Sequence, residues 1–343
     1  MKFLIVGLGS MGRRRIRNLT ALKAGEIIGF DVKPERRFEA EQKHGIRAFS
    51  SFEEALSQKP DAVIISTPPN LHMHYALSAA KRNLHFFMEA SVILEPEMDQ
   101  LIAECKRKKI VAAPSATMRF HPSIQKMKEL IDKNAIGRIL AFNYHSGQYL
   151  PDWHPYEDYR KYYVANRETG GCREIVPFEL SWITWLLGPV KTIACIKGKL
   201  SNLEADIDDV YQLVLRFEQG PIANMQVDII SRVAFRYFKM VSENGVILWD
   251  WDKRVVSTYL ASEKRWKEYP QRVESAVEGY VMEDDMYVNE MKHFIGAVEG
   301  RHPYTYTLED DKKILGVLYA AERSWESRRI IETTDAETKG NSG

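Results

Sequence analysis

Apolar and polar residues fall into alternating blocks over the first third of the chain. Lys2-Phe-Leu-Ile-Val6 is the kind of run that fills a strand buried on both faces. Similar runs recur at Glu26–Phe30, Asp61–Ser66, Leu84–Met88 and Ile110–Ala113. Between them lie segments of helical composition: Arg13–Leu19, Pro34–His44 (stopped by Gly45), a short helix capped by Ser51 with Glu54 in a capping box, His72–Arg82 and Glu97–Lys108. Strands separated by helices predict parallel βαβ units and a doubly wound sheet.

The pattern changes after Arg119-Phe-His-Pro122. One helix is expected over Ser123–Lys133. Strand-like runs then dominate, at Ile139–His145, Val190–Lys197, Asp209–Phe217, Ile222–Ser231, Phe235–Ser242 and Val246–Trp251. Glu218-Gln-Gly-Pro221 and Glu243-Asn-Gly245 read as turns between them. This predicts a mostly antiparallel sheet with one face under helices and the other pairing with a second subunit. A last helix is expected over Asp310–Arg328.

The junction of the first strand and helix carries chemistry. Gly7-Leu-Gly9-Ser10-Met11-Gly12 has the spacing of a dinucleotide fingerprint: Gly7 for a tight turn, Gly9 for close approach of a pyrophosphate, Gly12 for helix–strand packing. The helix start offers N–H groups to phosphate. Asp31 ends the second strand, where an acidic side chain accepts hydrogen bonds from the adenosine ribose. A carboxylate there repels a 2′-phosphate, so NAD is expected over NADP. Arg36 and Arg37, close by in sequence, argue the other way.

Composition narrows the class. The chain has 343 residues, 45% of them apolar, which suits two domains of a globular protein. We place them at 1–120 and 121–331, with a polar, disordered tail over 332–343. Lys and Arg total 48 against 47 Asp and Glu, a net charge of +1 that makes no case for nucleic-acid binding. Arg13, Arg14, Arg15 and Arg17 read as a solvated helix face. No apolar stretch approaches a membrane span, and the N-terminus enters a strand with no signal peptide. Cys105, Cys172 and Cys195 are odd in number and widely spaced, which suggests a reduced, cytoplasmic protein. The histidines form no metal-ligand pattern, and Cys172 reads as a small packing residue.

At this point the chain resembles the glucose–fructose oxidoreductase/inositol dehydrogenase (Gfo/Idh/MocA) family over nearly its whole length. Ser66-Thr-Pro-Pro-Asn-Leu-His72 is similar to the family's TPxxxH segment beside the nicotinamide ribose. Arg119-Phe-His-Pro122 is similar to its crossover into the second domain. Glu299-Gly-Arg-His-Pro303 and Thr307-Leu-Glu-Asp310 are similar to its C-terminal signature. Trp153-His-Pro-Tyr-Glu-Asp-Tyr-Arg160 and Gly170-Gly171 resemble the substrate-side loop of members acting on surface-polysaccharide sugars. The resemblance implies a Rossmann domain joined to an open-faced α/β domain, and hydride transfer between a sugar or polyol carbon and nicotinamide. It places Thr67, Pro68, His72 and Glu89 beside the nicotinamide half, and a homodimer or homotetramer is the family expectation.

The chain departs from the family at two positions. Ala90 stands where the family's catalytic lysine is expected, and Phe178 where its histidine is expected. Glu174 and Glu179 are then the leading acid/base candidates, with Glu179 read as partly buried against Trp182. Alternatives are His154, Tyr156, Tyr159 and Tyr163. Arg119, Trp153, Tyr159 and Arg173 are expected on the substrate side, Arg173 pairing with an anionic group or with Glu174. Each has a bland alternative in packing, capping or a surface ion pair; for Glu89 it is a structural pair with a nearby cation. The expected function is an NAD-dependent oxidoreductase acting on a sugar, with nucleotide and amino sugars of surface-glycan synthesis as candidate substrates. Two alternatives stand beside it: a closed redox cycle on bound NAD, and a non-catalytic NAD-bound regulator or scaffold.

Overall fold

The computed structural model describes residues 1–153, 157–271 and 284–333. It forms two compact units, Met1–Thr117 with Asp284–Lys312, and Met118–Glu283 with Lys313–Gly343.

The first unit is built on β1 (Lys2–Val6), α1 (Ser10–Ala21), β2 (Glu26–Phe30), α2 (Pro34–His44), β3 (Arg47–Phe49), α3 (Phe52–Ser57), β4 (Ala62–Ile65), α4 (His72–Lys81), β5 (His85–Met88), α5 (Met98–Lys108) and β6 (Ala112–Pro114). Its six parallel strands run in the order β3-β2-β1-β4-β5-β6. This is the doubly wound order in which the connection reverses beside β1. The apolar runs fill the sheet as expected: Phe3, Leu4, Ile5 and Val6 are fully buried, as are Val63, Ile64 and Ile65. Gly45 ends α2 in the left-handed region at φ 64°, and Ser51 Oγ accepts from Glu54 N at 3.4 Å to start α3.

The second unit contains α6 (Pro122–Asp132), β7 (Ile139–Tyr149), α7 (Cys172–Leu187), β8 (Val190–Gly198), β9 (Val210–Phe217), β10 (Ile222–Asp228), β11 (Ile230–Ser242), β12 (Gly245–Asp250), β13 (Val255–Leu260) and β14 (Arg265–Pro270). After these come α8 (Asp285–Val298), α9 (Leu308–Ser327) and β15 (Ile331–Glu332). The nine strands run β14-β13-β12-β11-β7-β10-β9-β8-β15. All pairings are antiparallel except β10 with β7. On one face Phe142, Tyr144, Met225, Leu213 and Phe238 pack inward, and Trp182 of α7 meets Tyr144 and Phe238 at ring distances of 5.2 and 5.7 Å. The opposite face leaves Ile196, Val214, Ile222, Tyr237 and Val241 exposed.

Four expectations are corrected. The segment Asp284–Lys312 returns to the first unit instead of staying with the second. The reason lies in α8, whose Met291, Phe294 and Ile295 join the core formed by Phe3, Ile5 and Phe87. The arginines of α1 are not a solvated face: Arg15 is wholly buried and Arg14 nearly so. Arg14 pairs with Asp284 at 2.8 Å and lies over the Tyr287 ring at 4.1 Å. Strands β13 and β14 were not expected; for β14 the reason is that Arg265-Trp-Lys-Glu-Tyr-Pro270 is a largely exposed edge strand without apolar alternation. Finally, the start of the supposed tail is ordered: Ile331 and Glu332 pair with β8, and Thr333 Oγ1 donates to Val190 O at 2.7 Å. Residues from 334 lie outside the described set.

No described helix is long and apolar enough to cross a membrane.

Candidate functional site

In the first unit the sequence-predicted residues converge at the C-terminal ends of β1, β2, β4 and β5. Gly7 adopts φ +91°, and a Cβ there would lie 2.6 Å from the Ser66 carbonyl oxygen. A Cβ on Gly12 would lie 1.9 Å from the Gly7 carbonyl oxygen, so only glycine lets α1 start this close to the strand. Gly9 is the N-cap of α1. No side chain caps the helix and its first turn holds no acidic residue. The positive end of the helix dipole, at Ser10, Met11 and Gly12, thus carries no acidic side chain in its own first turn, which suits a phosphate.

Asp31 follows β2 and is buried. Its Oδ2 accepts from Leu8 N at 2.8 Å and its Oδ1 from Lys33 N at 2.9 Å. Each oxygen keeps a further lone pair for a ribose hydroxyl. Arg36 Nη1 lies 3.8 Å from Asp31 Oδ2 and 3.4 Å from where a Gly9 Cβ would stand. Arg37 instead donates to the carbonyls of Asp31 and Val32.

Thr67 and His72 stand across the sheet from Asp31. Pro68 and Pro69 lead into a short 3₁₀ turn and then α4. His72 Nε2 lies 2.8 Å from the Thr67 carbonyl oxygen; a carbonyl can only accept, so Nε2 carries the proton. Burial pushes the imidazole pKa down to about 4, so the ring is neutral and Nδ1 is a bare acceptor. Both His72 Nδ1 and Thr67 Oγ1 are buried without a partner. Such orphaned atoms call for a ligand or water. Together with the uncapped helix and the glycine cradle, they fit a dinucleotide.

Glu89 ends β5. Arg15 Nε and Nη2 reach its two oxygens at 2.6 and 2.9 Å, and Ser66 Oγ lies 3.4 Å from Oε1. Sequence reasoning missed this arginine and its second partner, Glu290, because the four arginines were assigned to solvent. The signal lay in Tyr287-Val-Asn-Glu-Met291, an acid set among apolar residues at helical spacing.

In the second unit α7 carries the two carboxylate candidates, and the structure separates them. Glu179 is completely buried. It accepts from Tyr144 Oη at 2.6 Å, Trp182 Nε1 at 2.7 Å and Arg236 Nη2 at 3.0 Å. With no exposed surface and both oxygens engaged, it anchors α7 to the sheet, so the expectation of a proton carrier is corrected to a packing role. Glu174 is different. Its Oε1 accepts from Tyr163 Oη at 2.9 Å, and its Oε2 is buried with no partner. Desolvation pushes its pKa up to about 7 against the small opposing effect of the Tyr163 hydrogen bond.

The other substrate-side candidates divide as well. Arg173 does not touch Glu174. It pairs with Glu322 at 2.6 Å and donates to the Glu168 carbonyl. Arg119 Nε donates to the Ser181 carbonyl at 3.0 Å, and its guanidinium lies 5.7 Å from the Trp185 ring. Both arginines are engaged by the protein. Tyr159 Oη accepts from Glu204 N at 3.1 Å. Trp153 Nε1 is buried without a partner. His154 and Tyr156 lie outside the described residues. Phe178 is half-buried one helical turn from Glu174, and Ala90 is half-buried beside Glu89. Cys172 is fully buried, with Sγ 3.5 Å from the Val227 carbonyl oxygen and its pKa driven well up by burial. Among the described residues no three metal-ligating side chains converge.

The GFO_IDH_MocA model, described as an oxidoreductase family with an NAD-binding Rossmann fold, matches residues 1–114, and the GFO/IDH/MocA C-terminal domain matches 124–248. The chain belongs to this oxidoreductase family. It is similar to a myo-inositol 2-dehydrogenase of Thermotoga maritima, at 25% identity over 97% of this chain and 98% of that one. Among solved structures it is similar in fold to levoglucosan dehydrogenase in complex with NADH, with a TM-score of 0.85, 17% identity and coverage of 97% and 99% of the two chains. It is also similar to GenD2 from gentamicin A biosynthesis in complex with NAD, with a TM-score of 0.79, 20% identity and coverage of 97% and 96%. Family membership agrees with the glycine cradle.

Proposed function

We propose that this family member is an NAD-dependent oxidoreductase of a sugar or polyol carbon, with Glu174 in place of the usual proton carriers. The observation that carries the catalytic part is the state of Glu174: one oxygen held by Tyr163, the other buried, unpartnered and near neutral pKa. A general base works best when its pKa is near the working pH.

Nicotinamide, when bound, supplies a hydride acceptor at ring carbon C4. The rest falls to the chain. The N–H groups of Ser10, Met11 and Gly12 bind the pyrophosphate, and Asp31 accepts from the adenosine ribose. Thr67 Oγ1 and His72 Nδ1 offer a donor and an acceptor on the nicotinamide side, with Pro68 shaping the turn between them and Glu89 bordering the ribose. Glu174 Oε2 takes the substrate hydroxyl proton, while Tyr163 holds Oε1 and so orients the carboxylate. Trp153 Nε1 and the Tyr159 ring provide a donor and a stacking face suited to a polyhydroxylated ligand. Nucleotide sugars and amino sugars are the substrate classes to test first. Asp31 favours NAD over NADP. The exposed Ile196, Val214, Ile222, Tyr237 and Val241 suit pairing of this sheet face with a second copy, as a homodimer or homotetramer. A cytoplasmic location is the simplest reading of three buried free cysteines.

Ala90 and Phe178 favour one competing reading, a dinucleotide-bound regulator without turnover. A screen of inositols, sugars and nucleotide sugars for NADH formation separates the two. Turnover that Glu174→Gln abolishes supports the enzyme. Tight dinucleotide binding with no turnover across the screen favours the regulator.

A further inference from the structure

Glu89 is one member of a buried charge group. Arg15 binds it through Nε and Nη2, and the same Nη2 reaches Glu290 Oε2 at 3.0 Å. Glu290, on α8, also accepts from Ser115 Oγ at 3.1 Å, Ala116 N at 2.7 Å and Thr117 Oγ1 at 2.7 Å. Four donors thus converge on its two oxygens, a pattern that an ionised carboxylate satisfies. Arg15 and Glu290 have no exposed surface and Glu89 has 9%. One guanidinium faces two carboxylates; burial pushes the Glu290 pKa up while Arg15 and the donors at Thr117 and Ala116 oppose it, and with both acids ionised the group carries a net charge of −1. Arg15 Nη1 is buried without a partner, and its guanidinium lies 4.5 Å from the Phe87 ring.

The position of this charge gives it a consequence. In a sheet of this order the dinucleotide crosses the carboxyl ends of the strands. Asp31 marks the adenosine end at β2 and the glycine turn marks the phosphates at β1. The nicotinamide half therefore falls at the ends of β4 and β5, where Ser66 and Glu89 lie 3.4 Å apart. A nicotinamide ring is cationic when oxidised and neutral when reduced. A fixed negative charge in a dry environment attracts the first and is indifferent to the second.

We propose that the net-negative Arg15–Glu89–Glu290 group biases the bound coenzyme toward its oxidised form, with Arg15 positioning Glu89 from the helix that also holds the phosphates. This rests on the coenzyme reading above and assigns it a redox preference. A merely structural group would support both redox forms of the coenzyme equally.

The test is the ratio of dissociation constants, Kd for NAD+ over Kd for NADH, measured at pH 8 by calorimetry and by nicotinamide fluorescence. Glu89→Gln removes one negative charge and should raise the ratio about tenfold. Glu290→Gln, further along the same group, should raise it in the same direction by a smaller factor. Glu89→Asp keeps the charge and should leave the ratio within about twofold of the native protein, even if both affinities fall. A ratio unchanged in both Gln variants, with both coenzyme forms still bound, overturns the proposal. Should Glu89→Gln fail to give a cooperative melting transition, Glu290→Gln decides. A native protein that binds neither form overturns the coenzyme reading itself and this inference with it.

Discussion

Tyr163 donates its phenolic hydrogen to Oε1 of Glu174 at 2.9 Å and leaves Oε2 of the same carboxylate buried and unpartnered. A buried carboxylate with an open oxygen is costly to the fold unless something in the working protein uses it. Glu179, five residues further along α7, shows the contrast: its oxygens are engaged by Tyr144, Trp182 and Arg236. Two carboxylates on one helix are thus left in different states, one with an open oxygen and one fully engaged, by their neighbours alone.

Replacing the open carboxylate tests its role. Glu174→Gln should lower kcat by about 10²- to 10⁴-fold, the usual contribution of a general base, and leave dinucleotide affinity unchanged. Steady-state kinetics on the substrate found in the sugar screen, with a coenzyme titration, measures both. A drop of less than about threefold would remove Glu174 from the mechanism.

The pH profile follows from the same group. Glu174 must be ionised to accept a proton, and its pKa is pushed up to about 7 by burial. In the oxidative direction kcat/KM should rise with pH through about 7 and level off above it. The opposing effect of Tyr163 is to favour the ionised form, so Tyr163→Phe should move that limb to higher pH. An unmoved limb would show that Tyr163 does not act on the base.

Stability should move the other way. Unfolded, Glu174 ionises near 4.5; folded, near 7. Between these values the folded state binds the proton more tightly, so the native protein loses stability as pH rises across that window. Glutamine carries no such penalty. Glu174→Gln should match the native melting temperature below pH 4.5, gain on it up to about pH 7 and hold the gain above. A variant that melts lower than the native protein at pH 8 contradicts the assignment.

Coenzyme choice can be read at Asp31. Replacing it with serine removes the charge that repels a 2′-phosphate and keeps Arg36, 3.8 Å from the present carboxylate, close to where one would lie. Asp31→Ser should weaken NAD about tenfold and bring NADP to equal or better affinity. Calorimetric titration with each coenzyme checks it; an unchanged preference would place selectivity elsewhere.

The arginine in α1 is a stability determinant. Arg15→Met leaves Glu89 and Glu290 facing one another with no cation between them. Breaking a buried pair in this way costs about 3 to 5 kcal/mol, so chemical denaturation should show a loss of that size. A cost below about 1 kcal/mol would mean the group behaves like an exposed ion pair.

Much of the first unit was legible in the sequence because its signals are local. Apolar runs such as Phe3–Val6 and Val63–Ile65 define buried strands with no help from elsewhere. Gly7 and Gly12 are fixed by atoms within a few residues or one strand away. The alternation in β7, β9 and β10 likewise showed a sheet with one covered face. The edge strand β14 gave no such pattern, since neither of its faces is buried.

What the sequence determined by itself was the cradle of Gly7, Gly9, Gly12 and Asp31, and the two positions, Ala90 and Phe178, at which a proton carrier was expected. Which carboxylate of α7 keeps an open oxygen was decided by tertiary structure. Glu174 and Glu179 look alike in the chain, but a carboxylate's pKa and reach depend on burial and on partners brought from distant segments, such as Tyr144 and Arg236. The fate of Arg15 was decided the same way. Its two acids, Glu89 and Glu290, lie 74 and 275 residues away, and only the folding of α8 back onto the first unit turns a run of surface-like arginines into a buried charge group.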